Sequence, residues 1–166
     1  MDDRSSLARK HRGARVCSED IVDAETRSRM MRAVRQEDTR AELRVRRALY
    51  ELGIRYRVRN NDLPGSPDVA NRAHKWAIFV NGCFWHGHKN CTKTKSTSCS
   101  RVPRTRADFW SSKFAANRSR DAKRCRELRR TGYKVLFIWE CELVHSDAVT
   151  ERLPRFCDRK EERKQR

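Results

Sequence analysis

The segment Asn81-Gly-Cys-Phe-Trp-His-Gly-His-Lys-Asn-Cys91 brings two thiols, two imidazoles and two large aromatic rings into eleven positions. Thiolate and imidazole are the donors that Zn2+ prefers in tetrahedral structural sites, so Cys83, His88 and Cys91 are candidates for three of its four ligands. The fourth has two candidates. Cys141 lies just past an apolar run at 134–139, and Cys99 lies in the polar stretch that follows the segment. Closure through Cys141 would staple the loop to a strand end, which matters because residues 90–106 carry almost no apolar content of their own. The plainer alternative, small thiols buried in a core, suits Cys17, Cys125 and Cys157.

A second chemical signal is Asp68, which follows Pro64-Gly-Ser-Pro67 where a rigid turn can hold a carboxylate still. A hard oxygen ligand suits Mg2+. Hydrolysis of a phosphodiester needs charge neutralised at phosphorus and a deprotonated water, and carboxylate-held Mg2+ supplies both. His86, with an ordinary pKa of about 6.5, can take a proton from that water or stabilise the leaving oxygen. An Asp after a Pro often only caps a turn; its company with the Cys and His cluster favours chemistry here. Phe84, Trp85 and Trp110 lie beside cationic segments and can stack on or wedge between bases, or else fill a core.

These groups need elements to position them. Glu25 to Val34 reads as a short basic helix, and Ala41, Val45, Ala48, Leu49 and Leu52 recur at helical spacing until Gly53 stops them. Glu42 on that second helix falls opposite most of the apolar positions and reads as a solvated residue. Ile54, Tyr56 and Val58 alternate with Arg55, Arg57 and Arg59, the pattern of a half-buried strand. A short strand is expected from Asp68, and continuous apolar runs at Trp76 to Val80 and Lys134 to Trp139 suit strands covered on both faces. Ala107 to Arg130 is a long helix ending at Gly132. The expected order is helix, helix, three strands, helix, strand, helix, an α/β fold with a central mixed β-sheet flanked by helices.

The chain has 166 residues, room for one core. The expectation is a flexible basic tail at 1–22, a folded domain at 23–157 and a charged tail at 158–166. With 40 Lys plus Arg against 22 Asp plus Glu the formal charge is +18, which points to a nucleic acid partner. No stretch is apolar enough to cross a bilayer and Met1 to Arg15 has no secretory apolar core, so the expected setting is cytoplasmic, with no membrane partner. Seven cysteines, an odd count, beside histidines favour metal ligation over disulfides in a reducing compartment.

Five blocks in series, Thr26-Arg-Ser-Arg-Met-Met-Arg32, Leu63-Pro-Gly-Ser-Pro-Asp68, Gly82-Cys-Phe-Trp-His86, Thr105-Arg-Ala-Asp-Phe-Trp110 and Gly132-Tyr-Lys-Val-Leu-Phe-Ile-Trp-Glu-Cys141, resemble the very short patch repair DNA mismatch endonucleases. The resemblance runs from about Glu25 to Leu143. It implies a restriction-endonuclease-like fold with a structural zinc, catalytic Mg2+, and nicking of one strand 5′ to the thymine of a T:G mismatch in double-stranded DNA. Position by position, it makes Asp68 the metal-bridging aspartate, the Val80 main-chain carbonyl a second Mg2+ ligand, His86 the catalytic histidine and Glu42 a carboxylate near the metals. Cys83, His88, Cys91 and Cys141 become the zinc ligands, Phe84, Trp85 and Trp110 the aromatic wedge, and Met31 a DNA-facing residue of the first helix. A T:G wobble pair unstacks at lower cost than a matched pair, which gives the wedge a physical purpose. The resemblance also implies a bacterial, nucleoid-associated monomer linked to mismatch-repair proteins and a cytosine methyltransferase.

The chain departs from the family pattern in three places. Asn81 stands where the pattern has a second active-site histidine, so its amide would have to orient the water. One extra residue separates His88 from Cys91, which keeps Cys99 open as a ligand. The strand 76–80 lacks the acidic-x-Lys signature of many nucleases, as the family itself does. Two other readings stand beside the mismatch endonuclease: a zinc-stabilised DNA-binding module without catalysis, and a restriction-type nuclease on matched DNA.

Overall fold

The computed structural model describes residues 22–33, 37–88, 106–144 and 146–158. The tails expected at 1–22 and 158–166 lie outside these residues apart from Val22 and Asp158, as do Cys17, Cys91 and Cys99.

Helix α1 (Ala24–Ala33) starts where Asp23 caps it: Thr26 N–H donates to Asp23 Oδ1 at 2.7 Å and the Thr26 hydroxyl to Oδ2 at 3.0 Å. None of its described side chains is buried. Helix α2 (Arg40–Glu51) opens with a reciprocal capping box. Glu42 N–H donates to Thr39 Oγ1 at 3.3 Å, the Thr39 hydroxyl donates to Glu42 Oε1 at 2.8 Å, and Asp38 N–H donates to Oε2 at 3.0 Å. That box turns Glu42 inward, 5% exposed, in line with the buried Val45 and Leu49. The reading of Glu42 as a solvated residue opposite the apolar face is therefore corrected, and it is Leu43 and Leu52 that stay exposed. The helix ends as Gly53 predicts: at φ +69° it lets Gly53 N–H reach Tyr50 O and Ile54 N–H reach Leu49 O.

The strand expected at 54–58 does not form. Ile54, Tyr56 and Val58 do pack against the core while the three arginines stay exposed. The ladder, however, shrinks to one bridge between Arg57 and Ala70. Side chains take the neighbouring carbonyls, since Asn71 Nδ2 donates to Arg55 O at 2.8 Å and the buried Asn60 Nδ2 to both Arg57 O and Pro67 O. Arg59 then turns left-handed at φ +55° and ends the extended run.

The sheet has three strands in the order β1 (Val69–Asn71), β2 (Trp76–Asn81), β3 (Lys134–Trp139). β1 runs antiparallel to β2 with Val69 opposite Ile78, and β2 runs parallel to β3 from Trp76 opposite Lys134 to Asn81 opposite Trp139. A parallel pair needs a crossover, and helix α3 (Ala107–Arg130) lies in it. Central β2 is covered on both faces, as its continuous apolar run predicts. Trp76 and Ile78 pack with Val45 and Leu49 of α2 and with Val149 and Leu153 of helix α4 (Ser146–Cys157). Ala77 and Phe79 pack on the other face with Leu128 of α3 and Tyr133. Among the described residues the result is a mixed three-stranded sheet with flanking helices, with Asp68 just before β1 and the Cys83–His88 turn just after β2.

Ile78 is fully buried in mid-strand and packs within the main core cluster. Ile78→Ala is expected to lower unfolding stability by about 2–5 kcal/mol, read from urea denaturation followed by circular dichroism.

Candidate active site

The β1–β2 register carries Asp68, one residue before β1, alongside the end of β2. Val80 N–H donates to Asp68 Oδ2 at 2.7 Å, so the carboxylate continues the ladder where the backbone stops. The turn before it is tight: Gly65 has φ +83° and Pro67 is fully buried. Burial raises the Asp68 pKa to about 6, and the nearby Glu42 carboxylate pushes the same way, while the Val80 hydrogen bond and Arg46 oppose them. Glu42 itself is engaged, since Arg46 Nη2 donates to its Oε2 at 3.1 Å in addition to the cap contacts. Among the described residues nothing donates to the second oxygen of Asp68, which leaves it able to meet a cation.

A cleft of about 250 Å3 opens beside this carboxylate. Asp68, Val80, Asn81 and His86 line it together, joined by Arg120, Asp121 and Arg124 from α3. His86 Nδ1 lies 2.7 Å from Asp121 Oδ2, each side chain only 21% exposed, so one ring nitrogen is fixed and Nε2 is left for other work. Asn81 is 8% exposed and makes no hydrogen bond to another described side chain. The residue that sequence reasoning missed is Asp121. Its signal was present: it is the sole acid between Asp108 and Glu127 in a basic helix.

Just beyond the cleft, Cys83, His88 and Cys141 come together with their ligand atoms within 4.8 Å of one another. Cys141 Sγ lies 3.5 Å from His88 Nδ1, and both cysteines are buried. Cys141 arrives on the 3-10 turn Glu140–Val144 that follows β3. The His88 ring stacks on Trp139 at 4.0 Å, and burial lowers its pKa, which favours the neutral form that metal ligation uses. The Gly82–His88 turn is wound by His86 N–H to Gly82 O and His88 N–H to Cys83 O. Gly87, at φ +54°, passes so close to Phe114 that a Cβ there would lie 2.9 Å from its ring. Buried Cys125 and Cys157 behave as core thiols, and burial pushes Cys157 up to about 12.

Phe84 and Trp85 from that turn join Trp110 and Phe114 of α3 in one aromatic group, with ring centroids 5.0–6.3 Å apart. Asn117, 7% exposed, donates to the Trp85 carbonyl at 2.8 Å and holds it. Phe109 extends the group outward at 47% exposure under the Arg106 guanidinium. Met31 belongs to a separate element, 41% exposed on α1 beside Met30.

The raised Asp68 pKa has a consequence for stability. The unfolded carboxyl titrates near 3.9 and the folded one at about 6, so the folded state binds the extra proton between those values. Stability therefore falls as pH rises through that window and stays reduced above it. Without divalent metal, Asp68→Asn, whose amide oxygen can still accept from Val80, is expected to be more stable than wild type at pH 7.5 by on the order of 1–3 kcal/mol. Denaturation at pH 3.5 should show the advantage gone.

The model of the family described as DNA mismatch endonuclease Vsr matches residues 19–93. The type II nicking enzyme V.XorIIP of Xanthomonas oryzae pv. oryzae is 37% identical across 84% of this chain and 97% of its own length. The type II nicking enzyme V.NmeAIP of Neisseria meningitidis is 37% identical across 82% and 92%. The DNA mismatch endonuclease Vsr of Escherichia coli K12 is 39% identical across 81% and 85%. With matches of this identity and coverage over the segments that build the cleft, the chain belongs to the DNA mismatch endonuclease Vsr family.

Proposed function

We propose that this chain is a Mg2+-dependent endonuclease that nicks one DNA strand 5′ to the thymine of a T:G mismatch, on a restriction-endonuclease-like fold braced by zinc. The observation that carries the reading is the shared cleft, in which a buried carboxylate with a free oxygen sits with a histidine oriented by a second carboxylate. The names of the relatives, nicking enzymes and a mismatch endonuclease, support the substrate.

Asp68 and the Val80 carbonyl would hold the magnesium. In a strand the N–H and C=O of one residue face the same edge, so the Val80 carbonyl is directed toward the Asp68 side, as its N–H is. When bound, the ion supplies neutralisation of charge at phosphorus and a more acidic water. Asp121 holds His86 Nδ1, which leaves Nε2 to take the proton of the attacking water. Asn81, buried at the cleft wall, orients that water through its amide. Glu42, tied into the α2 cap, acts on Asp68 through its charge. Phe84, Trp85 and Trp110 open the mismatch from one side and Met31 on α1 meets the duplex from the other.

Zinc suits the Cys83, His88, Cys141 group on geometry. Bonds of about 2.3 Å to sulfur and 2.0 Å to nitrogen at tetrahedral angles put S and N roughly 3.5 Å apart, the spacing found between Cys141 and His88. Cys91, or Cys99 in its place, completes the set. The enzyme acts as a cytoplasmic, nucleoid-associated monomer alongside mismatch-repair proteins and a cytosine methyltransferase; among the described residues no helix is long and apolar enough to cross a membrane.

Two measurements test the proposal. Wild type should nick a T:G duplex only with Mg2+ and leave the T:A duplex of the same sequence intact, while Asp68→Ala binds the T:G duplex but nicks at least about 1000-fold more slowly. Mismatch binding without a nick in either protein would favour a non-catalytic module, and equal cutting of both duplexes a restriction-type nuclease. For the zinc, metal analysis should find one ion per chain, and Cys83→Ser should lose it together with several degrees or more of Tm, whereas Asp68→Ala retains both.

A further inference from the structure

Helix α3 sends three side chains to the cleft: Asp121, which holds His86, and the flanking Arg120 and Arg124. Most cations of this helix are exposed, Arg118, Arg120, Lys123, Arg126, Arg129 and Arg130 among them, and of these only Arg120 also lines the cleft. Arg124 is different. It is half-buried, and the turn that carries Asp68 folds directly over its stem: a Cβ on Gly65 would lie 3.0 Å from both Cβ and Cδ of Arg124. No described carboxylate pairs with Arg124 or Arg120, although two line the same cleft. Asp121 is taken by His86, and Asp68 by the Val80 amide. Arg120 is oriented by Asn117, whose Oδ1 accepts from Arg120 Nη2 at 2.8 Å and whose amide nitrogen holds Trp85 O.

Keeping a guanidinium partly out of water without a partner costs free energy, which an anion arriving in the cleft offsets. Its planar fork matches two oxygens of a phosphate better than an ammonium can. We infer that Arg120 and Arg124 form a clamp on the non-bridging oxygens of the DNA phosphodiester lodged against Asp68. This rests on the endonuclease reading above and names the side chains that seat its substrate. The stem contact with Gly65 ties the clamp to the carboxylate turn, so both meet one phosphate in a fixed relation.

The test uses full-length, zinc-loaded protein and a T:G duplex carrying either a normal phosphate or a neutral methylphosphonate at the cut position. Arg124→Met keeps the stem length against Gly65 and removes the charge, Arg124→Lys keeps a charge without the fork, and Arg118→Met is the exposed control. Single-turnover nicking of the normal duplex is expected to slow about 10- to 100-fold in Arg124→Met, with partial recovery in Arg124→Lys. Arg118→Met should stay within about twofold of wild type, the size expected of a surface contact. In binding without divalent metal, the methylphosphonate should weaken wild type clearly more than Arg124→Met, in which Arg120 alone still meets the phosphate. A purely structural role would not produce that loss of sensitivity. Equal methylphosphonate penalties in wild type and Arg124→Met overturn the clamp. If Arg124→Met melts early, the uncharged Arg124→Gln carries the same comparison, and a penalty equal to wild type overturns it likewise. The binding comparison needs no cleavage, so a wild type that binds but does not nick sinks the catalytic reading and leaves the clamp to be judged separately.

Discussion

A backbone amide at the end of β2 donates to a side-chain carboxylate where the sheet would otherwise continue. That bond, from Val80 to Asp68, fixes the carboxylate around which the cleft is built. It needs the antiparallel β1–β2 register, which carries Asp68 past Val69 and Ile78 to within reach of the Val80 amide, and it needs the Pro64–Pro67 turn to deliver Asp68 there. The fold accepts a raised carboxyl pKa there because the surrounding packing of β2, from Trp76 to Ile78, is complete on both faces. Sites for chemistry often carry such strain, and the core around them supplies the stability that makes it tolerable.

The remaining groups reach the cleft along two routes. One is short in sequence: β2 runs straight into the turn holding Cys83, Phe84, Trp85, His86 and His88. The other is long: α3 crosses back over the sheet to set β3 parallel to β2, and on its way contributes Trp110, Phe114, Asn117, Arg120, Asp121 and Arg124. The turn and the helix meet through rings and through single polar bonds, so the aromatic group and the cleft are two ends of one interface. β3 closes the arrangement by placing Cys141 against His88.

Periodic signals were legible in the sequence, and contacts between distant segments were not. The bounds of α3 and β3 follow from apolar spacing and from Gly132, and the inward and outward sides of residues 54–59 follow from alternation. What alternation cannot reveal is whether backbone partners exist: beyond the single Arg57–Ala70 bridge, the Arg55 carbonyl is taken by the Asn71 side chain. Glu42 was misread because counting apolar residues ignores a cap, which turns its first-turn acid toward the core. Asp68, His86 and the Cys83, His88 and Cys141 group were readable because rare residue types crowd into short segments. Arg124 was hidden in a helix rich in cations, where only the folded crossover distinguishes a cleft residue from a solvated one, whereas Asp121 stood out there as a lone acid.

Gly87 separates two histidines that look equivalent in the chain. With no side chain it slides beneath Phe114 in a left-handed conformation, so His86 turns to Asp121 while His88 turns to Cys141 and lies flat on Trp139. Any bulkier amino acid at this spot would have to push the phenyl ring aside and adopt an unfavourable dihedral as well. Neither imidazole can therefore deputise for its neighbour: the missing methyl group at this one position sends the first ring to a carboxylate and the second to a thiol.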